Sequence, residues 1–255
     1  MKAEVSDICA VTYTNSNCHD VLRVHVGQLD KFAAGIKSYV LTDKNPSYQL
    51  KDHEVILYDN SDFYYRQWLS SLGQVQQDYI IYLQEDFFLY DHVNYEELLS
   101  CKSFLESSDY SFVRFAKFDL RRGIHDSKFK LKEFPDKLIS NKIYDAYTLD
   151  EDCFSFMMQA TLWKKKDFIS LYDHVKSEKW FENTDWDKGI RDLKIKGAFH
   201  HDETKQLGKF HWESKVWPHI CTAVGKGKWS LSHHDHKLTD MLTEYKINVN
   251  ERGTR

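Results

Sequence analysis

The sequence predicts an α/β fold: a doubly wound, mixed sheet with helices on both faces. Three observations predict it. Over about the first 120 residues, short apolar runs suited to buried strands alternate with stretches whose apolar residues recur every three or four positions. Polar turn residues mark each change of pattern. No apolar run approaches the roughly 20 residues that span a bilayer, so in a chain of 255 residues, 42% of them hydrophobic, these segments are expected to fill a core.

Residues 7 to 13, DICAVTY, form the first expected strand and run into the polar stretch TNSN. From Asp20, the residues Leu22, Val26, Leu29, Ala33 and Ile36 share one face of a helix, with Gly35 near its end. SYVLTDK (38 to 44) is the second strand, Asn45-Pro46 breaks it, and HEVILYD (53 to 59) is the third. Asp62 is placed to cap a helix reaching about Val75, with Leu69, Leu72 and Val75 inward. DYIIYLQ is the fourth and most apolar strand. Asn94 precedes the helix YEELLSCKSFLES, whose Leu98, Cys101 and Leu105 make one stripe, and YSFVRFA (110 to 116) is strand again.

Beyond about residue 120 the pattern changes. RRGIHDSKFKLKEFPDK reads as loop, IYDAYTL and FSFMMQATLWKK as strands of a half expected to be antiparallel, and KDFISLYDHV and WFENTDWDKGIRDLK as helices. The tail from about Lys237 is charged and without strong periodicity. No internal repeat, low-complexity tract or Pro-rich linker divides the chain, so a single domain is expected.

A net charge of −4 and a pI near 6.3 argue against a general nucleic-acid or anionic-membrane binder. The five cysteines contain no CxxC pair, which favours reduced, cytosolic thiols over a disulfide framework or a zinc site. No apolar h-region of the signal-peptide kind follows MKAEVSDIC, so a soluble protein is expected, in contact at most with the inner face of a membrane.

The informative stretch is DYIIYLQEDFFLYDH, where a buried strand ends on Glu85 and Asp86 and the chain then turns apolar again. Two unpaired carboxylates are too costly to bury without water, a cation or a ligand. Ligands of doubly wound sheets bind beyond the carboxyl ends of the strands. That rule sets Thr12, Tyr13, Thr14 and Asn15 after the first strand, Asp43 after the second and the two acids after the fourth on one rim. The alternative is an exposed strand end whose acids cap the next turn.

YYRQWLSSLGQVQQDYIIYLQEDFFLYDHV, then FSFMMQATLWKKKDFISLY, WFEN and AVGKGKW, in this order, resemble the bacterial and viral sugar-nucleotide glycosyltransferases of the GT-A type. The resemblance spans most of residues 8 to 231 and rests on order and spacing. Here Gln84-Glu85-Asp86 stands in place of that group's Asp-x-Asp motif, and Glu182 falls two residues after Trp180, one fewer than in the group's W-x-x-E element. The resemblance implies transfer of a sugar from a nucleoside diphosphate sugar to a hydroxyl of a glycan or lipid-linked acceptor. It also implies a nucleotide-sugar half to about residue 120, an acceptor half to about 236, and a tail.

On that reading Asp86, with Glu85, holds Mn²⁺ or Mg²⁺ against the diphosphate, whose oxygens and water complete the coordination. Glu182 is the candidate general base, with Asp185 and Glu213 behind it. Trp180 and Trp186 offer faces to a sugar ring, or simply pack. Arg66 suits a phosphate or a stacked base, or else pairs with Asp62 four residues before it on the helix. In AVGKGKWSL, Gly225 and Gly227 allow close approach, while Lys226 and Lys228 offer charge to a diphosphate without the spacing of a Walker loop. The histidine runs at 200 and 232 read as solvated, with His234 and His236 supplying one late metal ligand at most. Two other classes compete. One is a non-catalytic glycan-binding or assembly module on the same fold. The other is a nucleotidyltransferase, which would need a Gly-rich basic loop where TYTNSN stands.

Overall fold

The computed structural model describes residues 5–117, 137–146, 159–178, 183–207 and 211–255. Its elements are β1 (Ile8–Tyr13), α1 (His19–Phe32), β2 (Lys37–Thr42), β3 (His53–Leu57), α2 (Tyr64–Leu72), β4 (Tyr79–Gln84), β5 (Phe88–Leu89), α3 (Tyr95–Ser107) and β6 (Phe112–Arg114). There follow β7 (Leu138–Ser140), β8 (Ile143–Asp145), β9 (Thr161–Lys164), α4 (Lys165–Val175), α5 (Asn183–Asp192) and β10 (Gly197–His200). The last part holds β11 (Gln206–Leu207), β12 (His211–Trp212), β13 (His219–Ile220), β14 (Val224–Gly225), β15 (Lys228–Trp229), α6 (Asp235–Glu244) and α7 (Val249–Arg252).

Nine strands form one mixed sheet in the order β3-β2-β1-β4-β9-β6-β10-β8-β7. This is the α/β class with a mixed sheet that the alternating pattern predicts. From β1 the chain winds outward through β2 and β3, then returns to place β4 on the other side of β1, all four parallel. The order reverses between β1 and β4, and such a switch point opens a crevice at the carboxyl ends of the strands. Beyond it, β9 runs antiparallel to both β4 and β6, β8 runs antiparallel to β10 and β7, and β6 and β10 are parallel. The described strands beyond residue 120 thus pair antiparallel, as expected, except where β10 lies parallel to β6 of the first half. The ends of β1 to β4, β6 and β10 and the start of β9 share one rim.

Strand alternation splits the core. Cys9, Val11, Ile80, Tyr82 and Trp163 face one cluster with Trp68, Phe168 and Tyr172 from α2 and α4. Ile8, Ala10, Ile81, Leu83 and Leu162 face another with Leu98, Cys101 and Leu105 from α3, the stripe read from sequence. Among the described residues Cys9, Cys18, Cys101 and Cys221 are free, and no helix is long and apolar enough to cross a membrane.

Three elements depart from expectation. The first helix stops at Phe32, where the Ala33 amide closes the last bond to the Leu29 carbonyl, and Gly35, at φ +99°, turns the chain into β2. Phe63, not Asp62, is the N-cap of α2, and no side chain caps it. The amides of Tyr64 and Tyr65 instead donate to the carbonyls of Glu178 and Ser177 at 3.2 and 3.1 Å, so distant chain satisfies the first turn. The tail folds: Leu238, Met241 and Leu242 of α6 are buried against Val21 and Val24 of α1 together with Phe88, Ile220 and Trp229.

Candidate functional site

The end of β4 answers why two acids sit in an apolar run. After Glu85 and Asp86 the chain re-enters the interior, with Phe87, Phe88 and Leu89 all buried and β5 paired with β13. Asp86 is drawn in with them and is only 8% exposed. Its carbonyl accepts from the Ala223 amide at 3.2 Å. Its Oδ2 lies 3.4 Å from the Val224 amide, a weak contact, and its Oδ1 is buried without a hydrogen-bond partner. Burial, and then the neighbouring Glu85, push this carboxyl up to about 8. Glu85 is half-buried. Burial raises it too, opposed by its own amide, by the Cys18 thiol and by the charge of Arg252.

Arg252 belongs to α7, at the far end of the chain. Its Nε and Nη2 donate to both carboxylate oxygens of Asp20, at 2.9 and 2.5 Å, and Nη2 also reaches the Asn17 carbonyl at 2.9 Å. This bidentate clamp fixes the C-terminal segment over the start of α1 and delivers a cation beside Glu85. Sequence reasoning missed it, because no local pattern announces a contact between residues so far apart.

The hairpin of β14 and β15 supplies the amide facing Asp86. Its turn is Lys226 and Gly227, at φ +52° and +75°, a two-residue turn with both centres left-handed. A side chain at Gly225 would meet the Arg255 guanidinium carbon at 2.1 Å, so a larger residue there would displace that exposed side chain. Lys226 and Lys228 are exposed on this hairpin, whose root touches Asp86.

On the β1 and β2 side, the expected contacts are largely engaged by the protein itself. Thr12, set on the ligand rim by the strand-end rule, is fully buried, and its hydroxyl lies 2.9 Å from His25 Nε2. His25 Nδ1 donates to the Phe87 carbonyl at 3.0 Å, and burial pushes this imidazole down to about 3, so it is neutral and Nε2 accepts from Thr12. Thr12 thus braces the acid loop from within. The Tyr13 ring stacks between Tyr58 and Trp68, and its hydroxyl donates to Gln67 Oε1 at 2.5 Å. Thr14 is buried and its carbonyl accepts from the Tyr58 hydroxyl at 2.7 Å. The Asn15 side chain accepts from the Asn17 amide and caps a single 3-10 turn, Ser16–Cys18. Asp43 accepts from the Ser16 amide at 2.6 Å and hydroxyl at 2.9 Å. Burial disfavours its charge, but those bonds outweigh the penalty and hold it below the usual carboxylate range.

Arg66 takes the surface alternative: its side chain is 57% exposed, Nη1 lies 3.9 Å from Asp62, and Nε donates to the Tyr65 hydroxyl at 3.0 Å. Trp180 and Glu182 lie outside the described residues, as do most of the basic loop and the side chain of Asp185. Trp186 is buried against Tyr172, 4.4 Å between ring centres, and packs rather than presents a face. Glu213 accepts from the Tyr90 hydroxyl at 2.9 Å. His234 Nε2 donates to the Thr222 carbonyl at 3.2 Å. Among the described residues no three His, Cys, Asp or Glu side chains converge to hold a metal ion, so a cation here would lean on Asp86, Glu85 and a ligand's own oxygens.

No protein-family model matches the sequence, and no curated protein matches it. Solved structures with a similar arrangement include residues 1–349 of S. aureus TarS, at 11% identity and TM-score 0.49 over 81% of this chain and 60% of that one. The same S. aureus TarS fragment in complex with UDP gives 9% and 0.47 over 95% and 66%. The 4-diphosphocytidyl-2C-methyl-D-erythritol synthase of Anaerococcus prevotii gives 12% and 0.44 over 78% and 90%, and the glycosyltransferase GlyE of Streptococcus pneumoniae gives 13% and 0.42 over 72% and 42%. Likeness at this level assigns no function, and the chain spans 60% of the first of these structures.

Proposed function

We propose that this chain is a glycosyltransferase that moves a sugar from a nucleoside diphosphate sugar to a hydroxyl of a glycan or lipid-linked acceptor. The observation that carries the reading is the acid pair at the switch point of the sheet. Asp86 keeps one carboxyl oxygen buried and unpaired at the root of a hairpin bearing Lys226 and Lys228. An acid kept only to cap a turn would spend both oxygens on amides, whereas an unmet one costs about 1–3 kcal/mol until a ligand meets it.

Bond cleavage to a nucleoside diphosphate places growing negative charge on the leaving diphosphate, and fixed positive charge lowers that barrier. Lys226 and Lys228 are the cations carried by the hairpin whose root meets Asp86, and the turn at Gly227 lets them approach a diphosphate together. A divalent cation suits Asp86 and Glu85, since the orphaned Oδ1 is a hard oxygen donor. Bound there, Mn²⁺ or Mg²⁺ would neutralise the leaving group. The positive charge of Arg252 favours the ionised form of Glu85. The role of general base is assigned to Glu182, on the sequence resemblance alone.

Calorimetry with UDP-, GDP-, CMP- and TDP-sugars, with and without Mn²⁺, tests the reading. One nucleotide sugar is expected to bind, and Asp86→Ala to weaken it at least about tenfold, roughly 1.4 kcal/mol. Binding by none of them to the unmodified protein would refute glycosyl transfer. Glycan binding that survives both Asp86→Ala and Glu182→Ala would point to a non-catalytic module.

A further inference from the structure

Gln159 stands where the sheet changes direction, beside the acid-tipped strand. β9 lies between β4 and β6, with Thr161 opposite both Tyr82 and Arg114. The pairing continues past the end of β9, where the Phe115 amide donates to the Ala160 carbonyl at 3.0 Å. Two residues beyond Thr161, the same register brings Gln159 level with Gln84, which lies opposite Tyr13 and precedes Glu85. Ala160 and Leu162 pack in the α3 cluster, so alternation turns Gln159 to the other face, that of Trp163, Tyr82 and Tyr13.

At that position Gln159 is 5% exposed, and its Oε1 is buried with no hydrogen-bond partner among the described residues. The Thr161 hydroxyl, the polar group beside it, donates to the Gln159 backbone carbonyl at 2.8 Å and leaves Oε1 unmet. Asp86 Oδ1 and Gln159 Oε1 are thus two unmet buried oxygens of different chemistry, one past the end of β4 and the other before the start of its neighbour β9. One is the carboxyl of Asp86, which suits a cation or a proton. The other is a neutral amide oxygen, which accepts from a hydrogen-bond donor and is a weaker cation ligand than a carboxylate. A diphosphate carries acceptors and cannot satisfy it. The hydroxyls of a sugar can.

We propose that Gln159 reads a hydroxyl of the transferred sugar, accepting its hydrogen bond through Oε1 and so setting which sugar the site takes. The assignment rests on the glycosyl-transfer reading above. A site built to bond a hydroxyl rejects an analogue that lacks it, because the protein group is then left buried and unpaired.

The test is calorimetry on the unmodified protein, Gln159→Leu and Gln159→Met, using the nucleoside diphosphate that binds, its preferred sugar conjugate, and single-deoxy forms of that conjugate. The bare nucleotide is expected to bind all three proteins within twofold. The sugar conjugate is expected to lose at least tenfold in the variants, and one deoxy conjugate, rejected by the unmodified protein, to bind the variants as well as its parent does. Should Gln159→Leu not fold, Gln159→Met, unbranched and close in length, carries the comparison. Equal losses for bare nucleotide and conjugate would move Gln159 to the nucleoside and overturn the assignment. So would undiminished sugar selectivity with nucleotide binding intact. No nucleotide binding to the unmodified protein would instead overturn glycosyl transfer itself.

Discussion

Single residues here divide into those whose polar groups are fully met inside the protein and those left waiting. His25 is the clearest of the first kind: sealed between Thr12 and the Phe87 carbonyl, it is held neutral down to about pH 3. Its folded value is depressed below the ordinary 6.5, so between those limits the unfolded chain binds a proton that the folded one refuses. Stability is then fully present above pH 6.5 and declines as pH falls, by roughly 4 kcal/mol at pH 3 for this group. Urea unfolding from pH 7.5 to 4 should show that decline, and His25→Gln should flatten it. Thr12 shows why part of the rim was misread. The rule that ligands meet strand ends concerns residues past the last paired one, and Thr12 lies within β1, pointing at α1. Asp86 was legible because an acid inside an apolar run has few physical excuses. Gln159 was not, since nothing in a sequence tells a met amide from an unmet one.

At the scale of elements, pattern succeeded wherever an element's own residues decide its fate. Asn94 caps α3 through the Glu97 amide at 3.2 Å, and β1 to β4 stand where their apolar runs lie. It failed where distant chain decides, as at the start of α2, whose first amides are met by residues 177 and 178. In α6 the spacing of Leu238, Met241 and Leu242 was present but diluted by charged neighbours. Cross-strand fit is similarly hidden. Gly197 of β10 lies opposite Phe112 of β6, whose ring is 4.3 Å from that of Trp163. A Cβ on Gly197 would fall 1.9 Å from the Phe112 ring. Gly197→Ala should cost about 1–3 kcal/mol by overpacking, read as a drop of about 2–4 °C in Tm per kcal/mol. Adding Phe112→Leu should recover part of that loss, a coupling that a double-mutant cycle detects.

For the whole molecule, segments more than 230 positions apart in the chain meet beside Glu85. The start of α1 and the end of α7 are tied by Arg252, while Trp229 bridges to Thr254 and its carbonyl accepts from the Arg255 amide at 2.9 Å. Arg252→Ala should free this segment and, by removing a cation beside Glu85, weaken nucleotide-sugar binding severalfold, with the larger share in the dissociation rate. Lys246, exposed and at φ +54°, marks the joint between α6 and α7. A single trypsin nick there would cut the tether while leaving the sheet whole. Cleavage at this point, timed with and without donor, therefore offers a readout of occupancy that needs neither a label nor a known acceptor.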